Sequence, residues 1–336
     1  MKVVAINGKR SCEIVERPVP TPRENYVLVK ILCAPMCTEV GDYRKGSIGE
    51  QLGHEAAGEV VEVARPGRFK VADRVVVMPQ NGCGRCELCV AGEHIHCANP
   101  RSPSEVCGCT TGRATYAEYC IQQDWLLYPA PDGISIEHAS MACCGLGPTF
   151  NAAERMNLCA TDLLLVSGLG PVGLGAVING IVRGAQVFGL ESNPYRAGLA
   201  LELGATAVFD PSDPELEHKV LECTRGKKFD KAIEASSAQD APAKLVQLLR
   251  PGGHLASVGW GGPVRMADAV YRGLTIHGVW HWNHLRHGGK MARTLEMAQP
   301  LLDKSITHRF PLDRVKDAWE LQLTGACGKV VLAPWG

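Results

Sequence analysis

The chain has 336 residues, long for one ordinary domain and comfortable for two. Hydrophobic residues make up 46% and charged residues 21%, a globular balance, with Lys+Arg and Asp+Glu equal at 35 each. Zero net charge argues against nucleic acid or an anionic membrane as partner, and no apolar run reaches the roughly 18 residues a membrane helix needs.

The N-terminal stretch up to Pro18 has an apolar run too brief for a signal sequence and no cleavage site, so a cytoplasmic chain is expected. Up to about residue 150 the sequence is rich in Pro, Gly and short β-branched runs. Tyr26–Ile31, Glu59–Val63 and Arg74–Val77 read as strands, with turns such as Arg65-Pro66-Gly67 between them. From residue 160 strands and helices alternate. Strands are predicted at 163–167, 186–191, 207–210, 231–234, 254–258 and 275–279. Helices are predicted at 171–183, 195–203, 215–224, 241–249 and 291–302. That spacing is the βαβ pattern of a parallel sheet covered on both faces, so the class is α/β.

Residues 163–173 run from an apolar strand into Gly168-Leu169-Gly170-Pro171-Val172-Gly173 and then into a helix. This context gives a GxGxxG pattern its dinucleotide-binding meaning. Gly168 permits the turn, Gly170 admits a pyrophosphate to the backbone, and Gly173 lets helix and strand pack closely. Glu191 closes the next strand, 18 residues after Gly173. Its carboxylate accepts from a ribose 2′-hydroxyl and repels a 2′-phosphate, which favours NAD. Arg196 nearby keeps NADP open. The bland alternative is a glycine-rich turn without a ligand.

Fifteen cysteines are unusual in such a chain. An odd count in a reducing compartment points to metal rather than disulfides. Cys83, Cys86, Cys89 and Cys97 have C-x2-C-x2-C-x7-C spacing. Four thiolates about 2.3 Å from one ion make a closed structural zinc site. A zinc ribbon gripping nucleic acid is the rival, and the neutral charge opposes it. Three further segments carry ligand types: Cys37, His54-Glu55 and Cys143-Cys144. Spacing alone cannot join them, and each alone reads equally as a buried thiol or a structural histidine.

Together these segments resemble the zinc-dependent medium-chain alcohol and polyol dehydrogenases. The resemblance covers almost the whole chain. It includes Gly53-His54-Glu55, Lys70-Val71-Ala72-Asp73-Arg74-Val75, the four-cysteine loop, Tyr116-Ala117-Glu118-Tyr119, the fingerprint and Gly328-Lys329-Val330-Val331-Leu332. It implies a GroES-like, mainly β catalytic domain (1–148), a Rossmann domain (149–288) and a C-terminal return to the catalytic domain (289–336). It also implies a catalytic zinc on Cys37, His54 and Cys144, with Glu55 beside it as an exchangeable ligand. With the cysteine loop this makes two zinc ions per chain. NAD is the expected cofactor, an alcohol or polyol the substrate, and a homodimer or homotetramer the assembly.

The match departs at Cys37-Thr38-Glu39-Val40-Gly41-Asp42. Glu39 holds the position where the family keeps its relay hydroxyl, Thr38 carries a hydroxyl one residue early, and Asp42 replaces a histidine. Glu39 is therefore a candidate base or substrate-hydroxyl ligand, and a salt-bridged glutamate is the alternative. Cys143 leaves the third ligand open by one position, with the following Gly-Leu-Gly-Pro favouring Cys144. Cys107 and Cys109 read as spare thiols. Trp280–His287 reads as a pocket wall, a subunit interface or an exposed loop. A zinc-stabilised NAD-binding protein without dehydrogenase activity is the alternative function, and a zinc-free quinone reductase conflicts with both zinc motifs.

Overall fold

A computed structural model describes residues 1–336. By contacts the chain forms two compact units. One comprises Met1–Cys144, Asn283–Gln299 and Ile306–Gly336, and the other Gly145–Trp282 and Pro300–Ser305. The seams fall a few residues before 149 and 289, for local reasons. A Cβ on Gly175 would meet the Gly145 carbonyl oxygen at 1.8 Å, so Gly145 packs with the second unit. The Asn283 amide donates to the Ala91 carbonyl, so Asn283 belongs to the first.

The strands in chain order are β1 (Lys2–Gly8), β2 (Ser11–Glu16), β3 (Tyr26–Pro35), β4 (Ala56–Val63), β5 (Arg74–Val77), β6 (Tyr119–Gln123) and β7 (Leu127–Pro129). There follow β8 (Leu163–Ser167), β9 (Gln186–Leu190), β10 (Ala207–Phe209), β11 (Phe229–Glu234), β12 (Leu249–Ser257), β13 (Thr275–Gly278), β14 (Ile306–Pro311) and β15 (Lys329–Ala333).

In the first unit a seven-stranded sheet runs β14-β15-β3-β4-β5-β7, with β6 also on β3. β3 is apolar along most of its length because it is flanked by β4 and β6 at one end and by β15 at the other. Val27, Val29 and Ile31 from β3, Val60 from β4 and Val75 from β5 build the core together with Trp319 of the helix Val315–Thr324. Trp319 stacks on Tyr43 at 4.7 Å and tilts against Tyr116 at 6.1 Å. These contacts fix the tyrosine rings whose positions matter below.

In the second unit the order is β10-β9-β8-β11-β12-β13, all parallel. The chain leaves β8 in one direction to β9 and β10, then returns to lay β11 on its other side. This is the doubly wound order with a switch point between β8 and β11. β8 reads Leu-Leu-Leu-Val-Ser because it is buried on both faces. The helix Pro171–Val182 is buried from Gly173 to Gly180, which explains its lack of a polar face. Phe188 packs between Phe209 and Phe229 in the core. The strands and helices expected in this unit fall within a few residues of their predicted places, except β12, while the helices Gly147–Arg155 and Met266–Arg272 were not expected. The start of β12 at Leu249 takes in Pro251-Gly252-Gly253 through a register shift against β11. The helix expected at 291–302 spans His284–Ser305, because Asn283 Oδ1 accepts from the Arg286 N–H and starts it about two turns earlier.

Candidate metal centres and nucleotide pocket

Cys37 follows the end of β3, where the Met36 N–H donates to the Val330 carbonyl of the C-terminal strand. His54 stands just before β4, after Gly53 at φ +80°. A Cβ there would strike the Tyr116 ring at 2.4 Å, so glycine is required on both counts. Cys144 follows the helix Ile136–Ser140, and its N–H donates to Glu55 Oε2 at 2.9 Å. The ligand atoms of Cys37, His54, Glu55 and Cys144 all lie within 4.8 Å of one another. His54 Nε2 is 3.3 Å from Cys144 Sγ. Cys143 turns its thiol to the Val77 carbonyl at 3.2 Å, so only Cys144 of the pair joins the cluster.

Glu39 has a different place from the one expected. It is buried, its Oε1 is 2.6 Å from His54 Nδ1, and its Oε2 accepts from the Tyr116 hydroxyl at 3.0 Å. Both oxygens are committed to the protein. Bound at Nδ1 by Glu39, the His54 ring is fixed with Nε2 left facing the cluster. Of the two sequence readings, base or salt-bridged glutamate, the geometry is that of a glutamate paired with His54. Thr38 and Asp42 are exposed.

Two residues that carried no chemical signal in the sequence complete the site. Tyr116 steadies Glu39, and its hydroxyl oxygen also accepts from the Cys37 N–H at 3.3 Å. Lys329 places Nζ 2.9 Å from Glu55 Oε1, with side-chain exposures of 1% and 0%.

The charges are organised accordingly. A hydrogen bond from Cys144 draws the Cys37 thiol well below its ordinary range, with Lys329 and His54 adding to it against burial. The same bond, with burial, pushes the Cys144 thiol up. Burial opposes a charge on His54, but Cys37 and Glu39 outweigh it and raise the imidazole to about 11. Burial pushes the Glu39 carboxyl up as well, and His54 more than reverses this. Burial works against the Lys329 ammonium, yet Glu55 and the two thiols hold it charged. Two sulfurs, one imidazole nitrogen and an adjacent carboxylate are a donor set that suits zinc with a place left open.

The four-cysteine loop also closes. Cys83, Cys86, Cys89 and Cys97 present their sulfurs within 4.8 Å of one another. The Cys83–Cys89 and Cys86–Cys97 sulfur distances are 4.0 and 3.8 Å. A tetrahedron with metal–sulfur bonds of about 2.3 Å has edges of about 3.8 Å, so the loop is shaped for zinc. Backbone N–H groups of Cys86 and Cys83 donate to the sulfurs of Cys83 and Cys97 at 3.4 and 3.3 Å. The Arg85 N–H leads the groups that lower the Cys83 thiol to about 6. None of the fifteen cysteines is in a disulfide.

Part of the Trp280–His287 segment serves this lobe, and His281, Trp282, Asn283 and His284 are buried rather than looped out. The Asn283 amide donates to Ala91 O at 2.7 Å and Glu93 Oε1 at 3.1 Å. His284 Nε2 donates to Trp125 O at 2.7 Å, and its ring stacks on His94 at 5.5 Å.

In the second unit a cavity of about 540 Å³ opens at the C-terminal ends of β8, β9 and β11, beside the switch point. Gly168, Gly170, Glu191, Arg196, Ser212 and Lys244 are among its lining residues. Gly168 is at φ +81°, and a Cβ on Gly173 would lie 1.8 Å from the Gly168 carbonyl oxygen. Gly170 caps the helix, Pro171 takes its first position without loss of a needed donor, and Val172 completes the opening turn. Glu191 Oε2 accepts from the Leu169 N–H at 2.7 Å and Oε1 from the Asn193 N–H at 2.9 Å. One carboxylate thus holds the glycine turn and faces the cavity. Arg196 Nε is buried there without a partner.

Residues 23–132 match the alcohol dehydrogenase GroES-like domain, and residues 171–296 match the zinc-binding dehydrogenase domain. The chain is 30% identical to the uncharacterized zinc-type alcohol dehydrogenase-like protein YphC of Escherichia coli K12, over 99% of this chain and 98% of that one. The chain belongs to the zinc-type alcohol dehydrogenase family. L-threonine 3-dehydrogenase of Symbiobacterium thermophilum is 31% identical, over 95% of this chain and 93% of its own. Alcohol dehydrogenase TADH from Thermus sp. ATN1 superposes with a TM-score of 0.88 at 23% identity, covering 99% of both chains, and confirms the GroES-like plus Rossmann fold. No helix is long and apolar enough to cross a membrane.

Proposed function

We propose that this zinc-type dehydrogenase oxidises an alcohol or polyol, or reduces the matching carbonyl, with NAD as hydride carrier. The reading is supported above all by the convergence of Cys37, His54 and Cys144, from three distant segments, on one place for a cation. Zinc there acts as a Lewis acid toward the alcohol or carbonyl oxygen, and NAD carries the hydride. Cys37 and Cys144 supply the sulfurs. His54 offers Nε2, because Nδ1 is engaged by Glu39. Glu55 stands beside the open place, held by Lys329 and the Cys144 N–H. At the nucleotide pocket the turn Gly168–Gly173 and the N-terminus of its helix take the pyrophosphate. Glu191 takes a ribose hydroxyl and disfavours a 2′-phosphate. The cysteine lobe, with no open position, holds a second and structural zinc.

The assembly we propose is a homodimer or homotetramer in the cytoplasm. Exposed Trp260, Val270, Tyr271 and Trp280, with β13 as an edge strand, support association. Free cysteines throughout support a reducing compartment.

The test is metal analysis together with NAD reduction over a panel of alcohols, polyols, cyclitols and amino alcohols. Two zinc ions per chain are expected, with one lost in Cys97→Ser, which also melts earlier. NADH formation is expected with at least one class of the panel. Protein that takes up zinc only at the cysteine lobe, or never reduces NAD, would overturn the reading.

A further inference from the structure

Lys329 is fully buried, 274 residues from the carboxylate it meets. Its strand, β15, pairs with the end of β3 that delivers Cys37, so the fold sets this ammonium against the ligand cluster. An isolated buried cation is costly, and its position therefore calls for a balancing charge. Two thiolates already offset a dication. The Glu55 carboxylate is then the surplus negative charge, and Lys329 is the group that balances it.

Geometry gives the pair a second consequence. Glu55 Oε1 is held by Lys329 Nζ, and Oε2 by the Cys144 N–H. Oε1 is nevertheless only 4.0 Å from His54 Nε2, so a small swing would bring it into the coordination sphere. A carboxylate freed from its ammonium in a buried site gains most by binding the cation.

We propose that Lys329 is a positioning residue whose ammonium tethers Glu55 away from the open coordination place of the catalytic zinc, keeping that place for substrate. The proposal rests on Cys37, His54 and Cys144 being the catalytic zinc site. Nothing in the reaction passes through Lys329. It acts through Glu55, setting how readily this carboxylate competes with an alcohol oxygen.

The test compares wild type, Lys329→Met, Lys329→Arg, Glu55→Gln and the double variant Lys329→Met/Glu55→Gln. One readout is the rate of zinc release to a chelator, with the catalytic phase identified by its absence in Cys37→Ala. The other is the split between alcohol KM and kcat. In Lys329→Met the untethered carboxylate takes the open place, so zinc leaves about tenfold more slowly and KM rises about tenfold, more than kcat falls. Lys329→Arg keeps the cation and returns both values most of the way to wild type. In the Glu55→Gln background, removing the ammonium changes neither value by more than about twofold, because nothing remains to be tethered. Faster zinc release in Lys329→Met, or equal shifts with and without Glu55, would overturn the proposal. If Lys329→Met does not fold, Glu55→Gln and the double variant bury no unpaired carboxylate and carry the test alone. Matching release rates and KM values in those two support the tether, and a tenfold difference refutes it. Wild-type protein without a zinc phase dependent on Cys37 would refute the metal-site reading instead.

Discussion

Replacing Glu39 should weaken the catalytic metal site rather than remove a proton acceptor. The wild-type carboxylate faces His54 Nδ1 at 2.6 Å and receives the Tyr116 hydroxyl at 3.0 Å, in a buried setting. Such backing contacts to a ligand histidine are worth about 10- to 100-fold in metal affinity, or about 1.4 to 2.7 kcal/mol. Glu39→Gln retains an acceptor for Nδ1–H but loses the charge, and a neutral hydrogen bond has roughly half the strength of a charge-assisted one. Its zinc affinity should fall about tenfold. Glu39→Ala leaves both Nδ1 and the fully buried Tyr116 hydroxyl without their partner, so the loss should approach a hundredfold and the protein should also melt earlier. The assay is competition for zinc with a chromophoric chelator, followed by turnover measured at saturating zinc. Loaded Glu39→Gln should recover most of its kcat. An unchanged zinc affinity with turnover down about a hundredfold in loaded protein would refute the positioning role and make Glu39 a proton acceptor.

Gly173→Ala places a methyl 1.8 Å from the Gly168 carbonyl, so the turn must open. A stability loss of roughly 1–3 kcal/mol and a weaker NADH affinity are expected, seen in thermal melts and a fluorescence titration. Glu191→Ser removes the carboxylate proposed to disfavour a 2′-phosphate, and with Arg196 lining the same cavity the NAD over NADP ratio of kcat/KM should narrow. A wild-type preference for NADP would contradict this role. Burial lowers His284 to about 4, so the folded protein resists a proton that the unfolded chain accepts below about pH 6.5. Stability is therefore full above that pH and declines as pH falls toward 4, by about 3 kcal/mol at most. His284→Phe should flatten this part of a pH series of chemical denaturation curves, and an unaltered slope would assign the decline to other groups.

Features set by neighbours in the chain were legible in the sequence. The cysteine loop is one, since two-residue gaps aim successive sulfurs at one point whatever the rest of the fold does. The glycine fingerprint is another, because a tight turn, a close helix and a following acid all lie within a single βαβ unit. The alternation of apolar strands and helices after residue 160 follows from burial on both faces of a parallel sheet, and it placed most elements of the second unit. Cys37, His54 and Cys144 are different. Their spacing carried no information, and only resemblance to a family grouped them, because the pairing of β3 with β4 brings Cys37 and His54 together and the Cys144 segment reaches them through its N–H bond to Glu55. The choice of Cys144 over Cys143 depends on which thiol the backbone turns toward Val77. The role of Glu39 depends on the position of the Tyr116 hydroxyl, which is steadied by a tryptophan near the C-terminus. Lys329 met Glu55 only once the last strand had paired with the third. These are long-range contacts between side chains, and their energies come from burial and charge balance in the assembled core. Local residue patterns do not encode which distant partner will supply them.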